Sequence, residues 1–498
     1  MSLSRNNARP LVRAMTRPLS DPNGASDPIL AAFNAGEEFT HSTGLIADYR
    51  FLEGSGTTVA DQTGTTGGIN LSAPTSPNFT WQEWGGRTES GLIQTPTITG
   101  AKSMVMLYRV PADDAGDGFL ISGGASSGTG IMSNFIDPSD SWQITHGAGL
   151  SNIPARPEGA LARGINTGGW KVVFRDNTTG YTSVFGLGGR HSTTTSRVAR
   201  FDVAWFSAYD TVLTTTQKEQ IYSDLRRVAV GKGQYLDYRD CPTQLDGILL
   251  WGQSNADGWA LISGLSAGDQ AADYSHIQIG LNGLTALPDK AVAEMVLGNN
   301  HNVQSPSTLF GPEVGIALSR SAPLVICKVA QGSTFLAPSS DPNVPSGFTF
   351  SSNESPAASA FTSTYPAWIY QTCALREAGI GVRMNAFCWM QGEQDAEYTS
   401  TADLYQTELN DLVAAIKDYT GHNPKAIIAR IYDQVTPTSA AALATVRAAQ
   451  AAVVASLNAA APGSAALIDT DDLTLSDTVH FDAAGMKLLG QRMAAEIT

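Results

Sequence analysis

Five residue types, spaced across the second half of this 498-residue chain, could do acyl-transfer chemistry together: Ser254, Gly332, Gln391, Asp477 and His480. Ser254 lies in Gly247-Ile248-Leu249-Leu250-Trp251-Gly252-Gln253-Ser254-Asn255-Ala256-Asp257-Gly258. Residues 248–251 are apolar but too few for a helix, and they predict a buried strand. Gly252 and the Ser-Asn pair break that strand. The hydroxyl is left at a strand's carboxyl end, where open α/β sheets place their ligands. A serine attacks only when a base takes its proton, and histidine suits that role near neutral pH. The imidazole in turn needs a carboxylate to fix its tautomer and stabilise its cation. The tetrahedral oxyanion needs donors already aimed at it, each worth roughly 2.7–4 kcal/mol on removal. Ser254 as nucleophile, His480 as base, Asp477 as orienting acid, and the Ser254 N–H, Gly332 N–H and Gln391 amide as donors fill those roles.

Each residue taken singly has a plainer reading. The serine stretch could be an ordinary strand and loop, and His480 a polar surface or capping residue. Asp477 could be an N-terminal cap. Gln391 and Glu393 could form a buried polar network that steadies a turn. Position decides between the two. Val329-Ala330-Gln331-Gly332-Ser333-Thr334 directly follows a strand. Cys388-Trp389-Met390-Gln391-Gly392-Glu393-Gln394-Asp395 is again a strand running into glycine and polar residues, and Ser476-Asp477-Thr478-Val479-His480 precedes the last helix. In a parallel sheet such ends gather on one edge.

The elements that must position them follow from hydrophobic pattern. Strands are expected at 247–251, 324–329, 384–390, 426–431 and 465–468. Tyr405, Leu409, Leu412, Val413 and Ile416 share one helical face. Residues 440–459 are rich in alanine, the strongest helix former, and 483–497 close the sequence as another helix. Strand-helix alternation predicts a mainly parallel sheet covered on both faces. Residues 338–366 read as a long loop beside the site.

The first half has a different texture. Residues 1–40 carry Arg5, Arg9, Arg13 and Arg17 but no apolar core, so no secretory signal is expected. Pro10, Pro18, Pro22 and Pro28 predict an extended arm, either a disordered tail or a segment that orders against a partner. From 41 to 232 short apolar stretches alternate with Gly, Ser and Thr clusters and predict an all-β sandwich. Within it 214–230 reads as a helix capped by Thr214, Thr215 or Thr216, and 233–245 as a linker to the domain at 246–498. Trp81, Trp84, Trp142 and Trp170 could stack on sugar rings, although tryptophans in a sandwich are more often core.

Formal net charge of −15 with 15% charged residues argues against a nucleic-acid binder or an anionic-membrane binder. No run approaches a transmembrane length. Cys241, Cys327, Cys373 and Cys388 lack metal or redox spacing and read as buried thiols rather than a disulfide framework.

Two resemblances rest on these residues. The stretch from Tyr49-Arg50-Phe51-Leu52-Glu53-Gly54 to Asp61 resembles the opening of concanavalin A-like, laminin G-type jelly rolls. Residues 201–206 and 213–222 are similar to that family's final strand and short helix. That likeness implies a glycan-binding, spacer or oligomerisation module. A calcium site, common in that family, has no position in this sequence.

Residues 246–498 resemble the SGNH-hydrolase superfamily, in its sialate O-acetylesterase-like and family-6 carbohydrate esterase branch. Gly252-Gln253-Ser254-Asn255 matches the nucleophile block and Gly311-Pro312-Glu313 the Gly-Pro block. Gln331-Gly332-Ser333-Thr334 matches the oxyanion block, with Gln331 where glycine is usual. Trp389-Met390-Gln391-Gly392-Glu393-Gln394-Asp395 and Asp477-Thr478-Val479-His480 complete the set in the family's order. Ala256 removes the second glycine of an α/β-hydrolase elbow. The resemblance implies an α/β three-layer fold and assigns Ser254, His480 and Asp477 to catalysis. It assigns Ser254, Gly332 and Gln391 to the oxyanion hole, with Asn255, Glu393 and Asp395 in support. Glu393 either braces the site or shares the acid's role.

The expected function is a serine esterase that removes O-acetyl groups from a polysaccharide without metal or organic cofactor. A lectin-like sandwich joined to a carbohydrate esterase without a signal peptide suggests a bacteriophage tail component. On that expectation residues 1–40 would dock to the virion, the assembly would be trimeric, and a bacterial surface glycan would be the substrate. A non-catalytic virion protein and a plant-xylan acetylesterase are the alternatives.

Overall fold

Leu324-Val325-Ile326-Cys327-Lys328-Val329-Ala330 is buried at all seven positions, as expected of a strand covered on both faces. It lies next to the strand that carries the serine. The structure is a computed structural model. It describes residues 27–497 except 72–78, 83, 89–92, 110–117, 120, 124–132, 137–143, 146–169, 188–200, 237, 283–291, 299–307, 338–370, 373, 374, 377, 421, 437 and 438. Arg5, Arg9, Arg13, Arg17, Trp142, Cys373 and the expected loop at 338–366 lie outside the described residues. The chain divides into two compact units, 1–243 with 376–381, and 244–375 with 382–498.

The first unit is built on an antiparallel sheet. Its strand order is Phe79–Trp81, Gly86–Thr88, Phe201–Tyr209, Ile93–Arg109, Lys171–Leu187 and Ile121–Gly123, with Leu45–Tyr49 beside Phe201–Tyr209. Side chains alternate across it. Met104, Met106 and Tyr108 join one core with Tyr49 and Phe206. Val105 and Leu107 join another with Trp205, Ile221, Leu225 and Val228. The last three belong to the helix Thr215–Gly231, which Thr214 and Gln217 close with a capping box. Trp84 and Trp170 are core residues with ring centroids 4.5 Å apart, so neither is a surface platform for sugar. The expectation of an extended arm through residue 40 is corrected for its second part. Asp27 caps a helix at Pro28–Ala35, and the buried Phe33 and Phe39 rings, 4.9 Å apart, both pack against the Arg50 guanidinium. Pro28 at the first helical turn starts this helix instead of breaking it.

In the second unit we label the strands of the main sheet β1 (Thr243–Gly252), β2 (Ile277–Asn282), β3 (Ala293–Glu294), β4 (Leu324–Ala330), β5 (Ile380–Met390), β6 (Lys425–Ala429) and β7 (Ala465–Ile468). Their order is β3-β2-β4-β1-β5-β6-β7. β4 runs parallel to β1 and β2, β6 runs parallel to β5 and β7, and the short edge strand β3 is antiparallel. The chain leaves β1 toward one edge of the sheet and leaves β4 toward the other. That reversal opens a crevice at the carboxyl ends of the central strands.

Of its helices we label α1 (Ser254–Asp257), α2 (Pro312–Ser319), α3 (Tyr405–Thr420), α4 (Ala440–Ala460) and α5 (Ala483–Glu496). α4 has the length and hydropathy of a membrane span, contrary to the expectation that no run does. Leu443, Val446, Val453 and Val454 bury one face of it in the core of this unit, as in a core helix. α2 and α5 cross with glycine at the contact. A Cβ on Gly490 would lie 2.0 Å from the Pro312 carbonyl oxygen, and one on Gly315 2.1 Å from that of Lys487. No disulfide joins Cys241, Cys327 and Cys388, which are buried.

The end of β1 has a steric constraint of its own. Gly252 has φ +149°, and a Cβ there would stand 1.9 Å from the Met390 carbonyl oxygen. Gly252→Ala is therefore expected to destabilise the protein by about 1–3 kcal/mol through overpacking and backbone strain. Urea unfolding measures the loss, and a midpoint equal to that of the native sequence would contradict it.

Candidate active site

Register brings the expected blocks together. Gly252 pairs with Ala330, and Met390 with Ala429, so the ends of β1, β4, β5 and β6 stand level. The Gln253 N–H donates to the Met390 carbonyl at 3.0 Å and the Gln331 N–H to the Gly252 carbonyl at 3.2 Å. These bonds stitch three strand ends before any side chain is considered. Ser254 begins α1 and is 5% exposed. Gly332 lies against it, since a Cβ there would be 3.6 Å from the Ser254 Cβ. Ser333, at φ +58°, turns the chain immediately afterwards.

A cavity of about 150 Å³ opens over the serine, lined by Gln253, Ser254, Ser333, Glu393, Val479 and His480 among others. His480 comes from the loop before α5. Its Nδ1 is 2.7 Å from Asp477 Oδ2, while Asp477 Oδ1 accepts the backbone N–H groups of Val479 and His480 at 2.7 and 2.6 Å. Burial alone would raise the Asp477 pKa, but the bonds from His480 and Val479 hold it below the usual carboxylate range. The acid is therefore ionised and fixes the imidazole with Nδ1–H toward it. Ser254 and His480 share the cavity without a direct hydrogen bond among the described residues. In unliganded sites such bonds are often loose and tighten with substrate.

Asn255 ties the pieces to one another. Its Nδ2 donates to Glu393 Oε1 at 2.8 Å and to the Val479 carbonyl at 3.0 Å, and its Oδ1 accepts the Phe481 N–H at 3.2 Å. Glu393 is buried, which raises its pKa against the lowering effect of Asn255. Its Oε2 has no hydrogen-bond partner among the described residues and belongs to a residue of the cavity wall.

Asp395 is fully buried and does not line the cavity. It accepts the N–H groups of Leu336 and Ala337, both at 2.9 Å, which anchors the segment after the Gly332 turn. Gln391, expected as an oxyanion donor, lies in the same cluster. Its Nε2 donates to the Thr334 carbonyl at 2.8 Å and to Asp395 Oδ2 at 2.5 Å, and the residue is fully buried away from the cavity lining. With those hydrogens committed, Gln391 holds the Gly332 turn in place from beneath.

Sequence reasoning missed two residues. Lys328 in β4 is fully buried, and its Nζ donates to the Asp257 carbonyl at 2.6 Å and to Glu313 Oε2 at 2.9 Å. Glu313 Oε1 accepts the Gly311 N–H at 2.8 Å. The Gly-Pro-Glu block thus neutralises a lysine that props the end of α1. One lysine inside an otherwise apolar strand was the available signal. Trp259 is the other. Its ring stacks on His480 with centroids 5.1 Å apart at 19°. Among the described residues no cluster of His, Cys, Asp or Glu is arranged to hold a metal ion.

Three comparisons bear on this arrangement. A family model described as "Carbohydrate esterase, sialic acid-specific acetylesterase" matches residues 244–498. Among solved structures, a protein from Arabidopsis thaliana is 16% identical, covering 50% of this chain and 96% of its own, with TM-score 0.36. NanS is 12% identical, with coverage of 52% and 97% and TM-score 0.35. A carbohydrate acetylesterase from Xanthomonas citri is 12% identical, with coverage of 66% of each chain and TM-score 0.32. No match is found among curated proteins.

Two measurements check the scaffold. Asn255→Ala leaves buried polar groups unpaired, and each costs about 1–3 kcal/mol, so a lowered urea midpoint is expected. An unchanged midpoint would show that Asn255 ties nothing together. Burial also pushes Asp395 up to about 7 from 3.8, against the bonds donated by Gln391, Leu336 and Ala337. A carboxyl raised in the fold stabilises it most below pH about 4, and that share is lost as pH rises through about 7. Unfolding free energy of Asp395→Asn, followed from pH 4 to 8, is expected to lack this share of the decline. Parallel curves for the two proteins would contradict it.

Proposed function

Because the chain belongs to the carbohydrate esterase family of sialic acid-specific acetylesterases, we propose that it removes O-acetyl groups from a polysaccharide through an acetyl-Ser254 intermediate. The observation that carries the reading is the placement of Ser254 and His480 on one cavity with Asp477 bonded behind the imidazole. Ser254 Oγ attacks the acetyl carbonyl while His480 Nε2 takes its proton. The Ser254 and Gly332 N–H groups stabilise the oxyanion. Collapse of that intermediate breaks the bond to the sugar oxygen, which leaves as a hydroxyl by taking the proton from His480. Water, deprotonated by His480, then attacks the acetyl-serine and releases acetate. Asp477 orients the ring and stabilises its cation, and Asn255, Glu393 and Asp395 hold the parts in register.

The substrate proposed is an O-acetylated bacterial surface glycan, and the chain is proposed as a phage tail component. In that setting the first unit acts as a jelly-roll module, residues 1–40 dock to other virion proteins, and the assembly is trimeric. An acidic chain with an antiparallel sheet module beside an esterase supports that setting. Finding the chain in purified virions supports it, and finding it only in cleared cytosol sinks it.

For catalysis, Ser254→Ala and His480→Ala are each expected to lower acetate release by about 10⁴-fold or more. Asp477→Asn is expected to cost about 10²- to 10⁴-fold, since it loses the charge that stabilises the imidazolium. Acetate is followed by pH-stat on acetylated bacterial polysaccharide and on acetylated xylan. Release that survives Ser254→Ala would refute the mechanism.

A further inference from the structure

The cavity over Ser254 holds about 150 Å³, whereas pockets that enclose a drug-sized ligand run to about 300–1,000 Å³. It has room for an acetyl group and the attacking oxygen. A pyranose ring bearing that acetyl must therefore rest outside, on the rim. Trp259 supplies a surface there. It follows Gly258, which ends α1, and one face of its indole is stacked on His480, a residue of the cavity wall. Yet the residue stays 42% exposed, and it is the one aromatic among the large apolar side chains left exposed in the described residues. The other tryptophans of this unit among the described residues, Trp251 and Trp389, are at 1% and 0%. Holding a large apolar ring in water is unfavourable, and ordering His480 alone would not require that much exposure.

We propose that Trp259 is the sugar platform of this site: the apolar C–H face of the acetylated pyranose lies on the exposed indole while its acetyl group enters the cavity toward Ser254. This rests on the acetylesterase reading above. The π-face of an indole carries negative charge and attracts the weakly positive C–H groups that one face of a pyranose presents. A neutral platform also suits a site whose cavity already holds Glu393 and Glu397.

The test compares a sugar ester with an ester that has no ring, using glucose pentaacetate and ethyl acetate with the full chain. In Trp259→Ala the ratio of kcat/KM for glucose pentaacetate to that for ethyl acetate is expected to fall about tenfold, mainly through KM, the scale of one stacking contact. Trp259→Leu, apolar but without a ring, should fall similarly, and Trp259→Phe should keep most of the ratio. Equal losses on both esters, leaving the ratio unchanged, overturn the platform and leave Trp259 as a support for His480. Native protein that releases acetate from neither ester removes the esterase reading and this proposal with it.

Discussion

The carboxamide of Asn255 is the interaction on which the site depends. One side chain spans α1, the end of β5 and the loop before α5, through Glu393, Val479 and Phe481. Those segments are distant in sequence. An amide suits this position because it donates and accepts at once. A carboxylate could not donate to Glu393 and the Val479 carbonyl, and an apolar residue could do neither. The serine and histidine are set by backbone geometry, and the amide fixes that geometry across three chain segments.

Below this layer lies a second that never meets the cavity. Lys328 supports α1 from β4, and Asp395 with Gln391 supports the turn that presents Gly332. Both sets bury charge or strong polarity, which costs free energy unless every atom is paired. Their position explains the expense. Each supports a backbone segment adjoining the serine, α1 in one case and the turn that carries Gly332 in the other, and a shift of an ångström there would disturb the site.

Much of this was legible in the sequence. Periodicity and alanine content located the helices at 405–420 and 440–460, and short apolar runs located the central strands. The strand at 277–282 was not found, because polar residues interrupt its apolar run. The helix at 28–35 was hidden by Pro28, which serves as a helix start as readily as a break. Among site residues, Ser254, Gly332, Asp477 and His480 stood out because chemistry requires those types at strand ends. The direction of the Gln391 amide did not, since spacing gives a position and not a hydrogen-bond partner. Trp259 was passed over because no motif includes it, and its importance arises from a ring contact across more than 200 residues.

The glycine contact between α2 and α5 has a kinetic meaning. His480 lies just before α5, and α5 seats against α2 with almost no side chain between the backbones. Such a joint is all-or-none, since a helix resting a little farther away forfeits dispersion contacts along its length. On the mechanism proposed above, His480 therefore reaches the serine only where α5 is seated. Closing a contact of such long sequence separation costs loop entropy and slows folding. Hydrolytic turnover would then report on a seated α5 more directly than helix content does, because α5 can be helical without resting on α2.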